Sequence, residues 1–204
     1  MGKIVCLMGR SSSGKDTIYK KLLEQNKVVL KPIVPYTTRP IRAGEKEGVE
    51  YHFTDEAGFQ KLLGEGSIIE ARVYHTYLGV WRYFTVADDG IALADNSYVM
   101  IGTLEAYAQI CRFYGSDKVL PVMIELDDGV RLQRALDREK TQDHPGYEEM
   151  CRRFLADAED FSEEKLEQAG ISRRFYNGDL DHCLEEITSY LQENLNGDDI
   201  LVRG

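Results

Sequence analysis

A glycine-rich segment near the start of the chain has residues suited to binding phosphate. It reads Gly9-Arg10-Ser11-Ser12-Ser13-Gly14-Lys15, which is the spacing GxxxxGK, and the apolar run 4–8 precedes it. Glycines let backbone N–H groups wrap an anion, a following helix contributes its positive end, and Lys15 contributes a full charge. The segment predicts a loop that holds the β- and γ-phosphates of a nucleotide. The alternative is a strand-to-helix turn that binds nothing.

Asp16 occupies the position after Lys15, where phosphate loops usually carry a Ser or Thr hydroxyl that binds Mg²⁺. A carboxylate there could act on the metal through a bound water, or Thr17 could contribute instead. The structural alternative is an acid in the first turn of a helix, where the helix dipole favours negative charge. Asp16 is therefore the candidate metal residue.

A second group of suitable residues lies in the polar segment 32–48 and just after it. This segment is rich in Pro, Gly, Arg and Glu, and so long a polar excursion in a compact domain is usually functional. Arg39 and Arg42 stand three residues apart, and Tyr51 follows. Two guanidinium forks and a phenol are suited to a phosphate dianion, whereas a solvated charged loop is the structural alternative.

The stretch 37–53 also resembles the signature of a known family. It begins Thr37-Thr38-Arg39, continues with Arg, Glu and Gly, and ends Tyr51-His52-Phe53, a pattern similar to that of guanylate kinases. The resemblance covers nearly the whole chain. It implies a P-loop kinase that uses Mg²⁺ and moves the γ-phosphoryl group of ATP onto a nucleoside monophosphate, with GMP as the favoured acceptor.

The resemblance assigns roles to individual residues. Glu70 matches the glutamate that reads guanine, because a carboxylate can accept from both N1–H and the exocyclic amine, a pair that adenine does not present. Arg134 and Arg138 match arginines at the start of the family's LID, and Arg153 matches one on the following helix. The implied catalytic residues are Lys15, Arg39, Arg134, Arg138 and Arg153. The implied ATP-binding residues are Gly9, Ser11, Ser12, Ser13, Gly14, Lys15, Asp16, Thr17 and Asn177. The implied acceptor-binding residues are Arg39, Arg42, Glu45, Tyr51, Glu70, Tyr77 and Thr103.

Three positions depart from the family pattern. Pro35 stands where the family usually has a Ser that contacts guanine O6, and Thr103 stands where an acid usually helps to read the guanine amine. Leu78 falls near the usual phosphate-binding Tyr, although Tyr77 is adjacent. Guanine recognition therefore rests mainly on Glu70.

Two alternatives stand beside a kinase for GMP. Another small-molecule P-loop kinase, similar to the ribose bisphosphate kinases, is favoured by the missing Ser and acid and disfavoured by Glu70 and the intact arginine signature. A non-catalytic guanylate-kinase-like module that binds protein partners is disfavoured by Gly9, Gly14 and Lys15, because such modules typically lack a working phosphate loop.

Composition excludes several classes of protein. The 204 residues carry a formal net charge of −10, which argues against a nucleic-acid polymer or an anionic membrane as the main partner. No apolar run is long enough for a membrane span, so we expect a cytoplasmic protein whose ligands are ATP and a nucleoside monophosphate. The four cysteines have no metal-ligand spacing, and we expect buried free thiols: Cys6, Cys111, Cys151 and Cys183.

The elements that must position these residues alternate between strand and helix. This alternation predicts an α/β fold in which helices flank a P-loop parallel sheet. Strands are expected at 4–8, 51–53, 67–77, 97–101, 119–126 and 171–176. Helices are expected at 15–25, 56–63, from 130 to beyond 136, at 147–168 and at 181–195. The aromatic residues around Trp81 are expected to be core, namely Tyr74, Tyr77, Tyr83 and Phe84. The family fold implies a single domain with a core (1–33, 87–137 and 151–195), an inserted monophosphate-binding subdomain (34–86), a LID (138–150) and a tail (196–204).

Overall fold

The computed structural model describes residues 2–42, 44–76, 79–87 and 90–195. Strands and helices alternate along most of this part of the chain. In chain order they are β1 (Ile4–Gly9), α1 (Lys15–Gln25), β2 (Leu30–Pro32), β3 (Tyr36–Thr37), β4 (His52–Phe53), α2 (Glu56–Gly64), β5 (Ile68–Thr76), β6 (Gly79–Val86), β7 (Ser97–Ile101), α3 (Leu104–Tyr114), β8 (Val119–Glu125), α4 (Asp128–Lys140), α5 (Tyr147–Asp160), α6 (Glu163–Gln168), β9 (Arg174–Tyr176) and α7 (Leu180–Leu195).

The main sheet contains five parallel strands in the order β2-β7-β1-β8-β9. All six residues of the central strand β1 are buried, as expected for a parallel strand covered by helices on both faces. One face packs against α3 and α6, with Ile110 and Leu166 in its core, and the other packs against α1 and α7, with Ile18 and Ile187. The predicted α/β class is confirmed.

A second sheet has four strands in the order β4-β3-β6-β5, and only its β3–β4 pair is parallel. Its small core consists of Phe59 from α2 with Phe84 and Val86 from β6. A register shift between Ile68 and Glu70 interrupts the pairing of β5 with β6. Because of this irregularity the two consecutive residues Ile69 and Glu70 are both buried, and Ile69 joins the core of the main sheet.

Several predicted elements agree closely with the structure. The strand 97–101 and the helix 15–25 have the predicted bounds, and the first strand extends one residue further, to Gly9. The strands β2, β3 and β6 and the helix α3 were not predicted. In β6 the aromatic residues alternate between two faces, so Phe84 is fully buried whereas Trp81 and Tyr83 are only half-buried. Tyr74 is 43% exposed, so the prediction of an aromatic core holds only in part.

The prediction of one helix over 147–168 is wrong, because the chain turns between α5 and α6. At this turn Phe161 is 4% exposed, and Ser162 has an extended backbone that starts α6. The turn lets both Phe161 and Leu166 enter the core, although α5 itself buries no residue. The last strand is also shorter than predicted, since Ile171 packs into the core before β9 begins.

The cysteines differ in their burial. Cys6 and Cys183 are buried free thiols as expected, Cys111 is partly buried and Cys151 is exposed on α5, which corrects the expectation for that residue. None of the described helices is both long and apolar enough to cross a membrane. The predicted tail, 196–204, lies outside the described residues.

Candidate functional site

The phosphate loop connects β1 to α1, at the carboxyl end of the central strand of the main sheet. Gly14 has a φ of +91°, and a side chain there would collide with the amide of Asn177. Ser12 also has a positive φ, of 62°. The hydroxyl groups of Ser12 and Ser13 are buried and form no hydrogen bond with the described part of the chain. Buried hydroxyls without a protein partner, in a loop of this shape, are donors suited to an anion.

The first turn of α1 contains the residues predicted to contact the terminal phosphates and the metal. The Lys15 side chain is 20% exposed, and its Nζ lies 3.9 Å from Oδ2 of Asp16, a side chain that is 75% exposed. The described residues contain no group of three or more His, Cys, Asp and Glu side chains that could hold a metal ion. An exposed carboxylate beside the loop fits Mg²⁺, which keeps several waters and is bound chiefly through nucleotide phosphates. Thr17 is exposed in the same turn, so both candidates stand.

Asn177, predicted to lie near the nucleotide, is buried directly against the phosphate loop. Its Nδ2 donates a hydrogen bond of 2.7 Å to the carbonyl of Ser13, and its backbone N–H donates one of 2.8 Å to the carbonyl of Glu125. Its Oδ1 is buried without a hydrogen-bond partner among the residues described. Asn177 therefore supports the loop through its amide nitrogen, while its amide oxygen has no partner in the part of the chain that the structure describes.

Two residues that the sequence did not single out hold the outer side of the loop. Asp157 on α5 accepts a hydrogen bond of 2.7 Å from the backbone N–H of Ser11, and Nη1 of Arg131 on α4 donates one of 3.0 Å to the carbonyl of Ser11. Arg131 is only 1% exposed and also pairs with Asp128 at 2.6 Å. Arg131 lies three residues before Arg134, but only the fold shows that the helix turns this guanidinium inward to the loop.

The predicted acceptor loop is organised around a buried arginine. Arg39 is 3% exposed, and its guanidinium donates to both carboxylate oxygens of Glu45, at 2.7 and 2.5 Å. The same guanidinium lies 4.9 Å from the centre of the Tyr51 ring and 5.5 Å from that of Phe53. The hydrogen bond from Arg39 lowers the pKa of Glu45 to about 2, and that bond raises the pKa of Arg39 above its usual value. Both partners are therefore charged at neutral pH.

Arg42 completes this loop differently. Its backbone N–H donates to Glu45 at 2.8 Å, while its side chain is exposed and makes no hydrogen bond or ion pair with the described residues. A shallow depression of about 510 Å³ lies beside it and is lined by Thr38, Arg39, Pro40, Ile41, Phe53, Thr54 and Asp55. The loop thus has one guanidinium fixed in place and one available to a ligand.

Tyr83 on β6 belongs to the same cluster, although the sequence placed it in the core. Its ring lies 5.6 Å from that of Tyr51, and its phenol is among the groups whose charge acts to raise the pKa of Arg39. Tyr77, the tyrosine predicted for this role, lies outside the described residues, as does Leu78. Residue order could not identify Tyr83, because it reaches the cluster only through the pairing of β6 with β3.

Glu70 on β5, predicted to read guanine, has a side chain with no exposed surface. Its Oε2 accepts from Nε of Arg72 at 3.2 Å, and its Oε1 accepts from Nη2 of Arg72 at 3.3 Å and from the Thr85 hydroxyl at 2.9 Å. Thr103, also predicted to bind the acceptor, caps α3 by accepting a hydrogen bond of 3.2 Å from the N–H of Ala106. Both predicted residues therefore have protein partners.

The three further arginines lie on α4 and α5. Arg134 is close to the phosphate loop, since its Nη1 would lie 3.7 Å from a Cβ atom built at Gly14. Arg134 and Arg138 are exposed, and their guanidinium groups form no hydrogen bond or ion pair within the described ranges. Arg153 is 59% exposed and donates to Glu149 at 2.8 Å. Hydrogen bonds from Arg152 and Arg153 lower the pKa of Glu149 to about 2.

Comparison with known proteins gives a consistent result for the N-terminal part of the chain. Residues 1–82 match the family model of guanylate kinase. A guanylate kinase from Anaplasma phagocytophilum (strain HZ) is 43% identical over 83 residues, which is 40% of this chain and 40% of that protein. A guanylate kinase from Schizosaccharomyces pombe is 43% identical over 72 residues, 35% of this chain and 36% of the relative. These matches therefore span well under half of each relative.

Longer matches are weaker in identity. A guanylate kinase from Campylobacter jejuni (strain RM1221) is 29% identical over 142 residues, which is 69% of this chain and 67% of that protein. The crystal structure of guanylate kinase from Anaplasma phagocytophilum superimposes with a TM-score of 0.64 over 95% of this chain and 86% of that one, at 23% identity, and so shows a shared fold. Together these matches support membership of the guanylate kinase family.

Proposed function

We propose that this chain belongs to the guanylate kinase family and is an ATP-dependent nucleoside monophosphate kinase, which converts GMP and ATP to GDP and ADP. The observation that carries the proposal is the phosphate loop, in which the buried hydroxyls of Ser12 and Ser13, close to Lys15 in sequence, have no hydrogen-bond partner among the described residues. These unpaired donors and the lysine charge match the requirements of a triphosphate.

In this proposal the donor is held by the loop and the first turn of α1. Lys15 neutralises charge on the β- and γ-phosphates, and Asp16 or Thr17 contacts Mg²⁺ directly or through water. When bound there, Mg²⁺ would supply positive charge that offsets the charge developing during transfer. Asn177 and the remaining loop residues position the nucleotide. No general base is needed, because the acceptor atom is already a phosphate oxygen.

The acceptor is held by the cluster around Arg39. Arg42 supplies a guanidinium with no hydrogen bond or ion pair among the described residues, and Glu45 fixes the orientation of Arg39. The rings of Tyr51 and Tyr83 lie 5.6 Å apart in the same cluster, and we assign their phenols as further donors to the acceptor phosphate. We assign the second sheet to a mobile monophosphate-binding subdomain (34–86), with Glu70 as the reader of guanine and Thr103 at its border. Arg134, Arg138 and Arg153 then close with a LID (138–150) over the transferring group and exclude water.

The test is steady-state ATP consumption with GMP, dGMP, AMP, CMP, UMP and a ribose bisphosphate as acceptors. We expect kcat/KM for GMP to exceed that for AMP about 100-fold, because a carboxylate facing adenine loses two donors. Glu70→Gln should erode this preference, whereas Glu56→Gln, an exposed carboxylate in the same subdomain, should leave it unchanged.

The alternatives give different results in this assay. Preference for a ribose bisphosphate would reassign the acceptor and leave the phosphate-loop kinase intact. Absence of transfer to every acceptor, together with no binding of ATP, would instead favour a non-catalytic module.

A further inference from the structure

The pairing of Glu70 with Arg72 bears directly on acceptor recognition. Both residues are on β5, two positions apart, so their side chains leave the same face of the sheet. Nε and Nη2 of Arg72 reach the two oxygens of the Glu70 carboxylate in a two-pronged arrangement, at 3.2 and 3.3 Å. The guanidinium thus covers the carboxylate with a pair of parallel N–H donors.

Guanine would present the same pattern of donors. Its N1–H and exocyclic amine are two parallel N–H donors, and a single carboxylate can accept from both of them. The Arg72 guanidinium already donates to Glu70 in this way. Oε1 of Glu70 also accepts a hydrogen bond from the Thr85 hydroxyl, so both lone pairs of this oxygen are used. The arginine therefore imitates the edge of guanine at the residue assigned to read that edge.

Burial decides which group has to move. The Glu70 side chain has no exposed surface, so no ligand atom can reach either oxygen while its neighbours stay in place. Thr85 is 2% exposed and lies within the sheet, whereas the Arg72 side chain is 15% exposed. Arg72 is the longer and more accessible partner, so it is the group that we expect to move.

The surroundings keep the Arg72 guanidinium charged until that happens. Burial acts to lower the pKa of Arg72, but the Glu70 carboxylate and nearby Tyr74 raise it, and the result lies above the usual value. Burial raises the pKa of Tyr51, which belongs to the cluster assigned to the acceptor phosphate, and the charge of Arg72 acts to lower it.

We propose that Arg72 occupies the guanine-reading side of Glu70 in the unliganded protein, so that a guanine acceptor binds only when Arg72 leaves. This inference rests on the proposed function and names Arg72 as a residue that sets acceptor specificity. The proposed role differs from a supporting role. In a supporting role Arg72 would orient Glu70 for guanine, and the loss of Arg72 would weaken the binding of GMP. The two roles predict opposite signs for the effect of removing Arg72.

The experiment compares wild type with Arg72→Met, which keeps the aliphatic volume and removes the fork. GMP, IMP and AMP are used as ligands, because they present two, one and no donors of this kind to Glu70. If Arg72 is displaced from Glu70 in no more than about one unliganded molecule in ten, the Arg72→Met substitution lowers the apparent Kd and KM for GMP about tenfold or more. The gain in affinity is smaller for IMP and absent for AMP. Arg82→Met, which removes an arginine of β6 that pairs with Glu56 on α2, leaves all three values unchanged.

Calorimetric binding and turnover are measured in parallel. A weaker or unchanged affinity for GMP in folded Arg72→Met overturns the inference, and so does an equal gain for all three ligands. If that variant does not fold, Arg72→Lys is tested instead. Lysine keeps the positive charge beside Glu70 but lacks the two parallel N–H donors of the guanidinium, so we expect the Kd for GMP to fall several-fold. Failure of the proposed function has a different signature, which is tight ATP binding without transfer to any monophosphate by wild type or either variant. A gain in GMP binding in that case still supports the role of Arg72.

Discussion

The carboxylate of Asp157 on α5 accepts a 2.7 Å hydrogen bond from the backbone N–H of Ser11, 146 residues earlier in the phosphate loop. The same carboxylate lies 3.6 Å from the buried guanidinium of Arg131, which in turn donates to the carbonyl of Ser11. Both backbone groups of one loop residue are therefore satisfied by charged side chains of α4 and α5. This connection ties the loop to the helix that carries Arg153.

Asp157→Ala should destabilise the fold by about 1–3 kcal/mol, because Ser11 N–H loses its acceptor and buried Arg131 loses one of two nearby carboxylates. The measurement is the free energy of unfolding in urea. Asp160→Ala is the matched control, since it removes an exposed acid of the same helix and should change stability by less than about 0.5 kcal/mol. Equal effects of the two substitutions would show that the contact with Ser11 adds nothing.

Lys15→Ala should remove most of kcat while the melting temperature stays close to that of wild type. The lysine side chain has one polar contact among the described residues, 3.9 Å from the exposed Asp16, so its contribution to folding is small. In the proposed reaction, its charge on the transferring phosphates would contribute several kcal/mol in a water-excluded site. Steady-state kinetics and thermal unfolding check both parts, with Lys20→Ala on the same helix as control. More than about a tenth of wild-type turnover in Lys15→Ala would contradict the assigned role.

Arg42→Ala and Arg39→Ala should differ, although the sequence presents them as equivalents. Arg42→Ala should raise KM for the monophosphate without raising KM for ATP or lowering stability, because its exposed guanidinium has no described partner. Arg39→Ala should raise the same KM and also destabilise the protein, because Glu45 is left without its guanidinium. Acceptor and donor titrations combined with urea unfolding separate the two effects. A rise in KM for ATP with either variant would place the loop at the donor.

Acid should remove the stability that the Arg39–Glu45 pair provides. The hydrogen bond from Arg39 depresses the pKa of Glu45 from 4.5 to about 2 in the folded protein. A depressed carboxyl pKa stabilises the fold at pH values above the unfolded pKa, and this stabilisation is lost as pH falls through the folded pKa. The difference in unfolding free energy between wild type and Glu45→Gln should be constant above about pH 5 and should shrink towards pH 2. Glu24→Gln, an exposed acid on α1, should show no such dependence.

Much of the fold followed from local patterns in the sequence. The apolar run of β1, the glycine turn and the periodicity of α1 are each set by neighbouring residues, so their bounds were predicted to within one residue. The turn at Phe161 was missed, because the helical pattern continues through it and only the position of the core explains why the chain bends. The pairing of β6 with β3 was missed for a different reason, since it joins residues that are distant in sequence.

The sequence by itself determined the chemistry available to this protein: a phosphate loop with Lys15, a pair of arginines and a candidate guanine reader at Glu70. Motifs identify residue types at fixed spacing, and those types determine which ligand atoms can be bound. Only the tertiary structure decided the state of each group. It paired Arg39 with Glu45, left Arg42 exposed and covered Glu70 with Arg72. These outcomes depend on burial and on contacts between side chains, which arise only when the sheets form and exclude water.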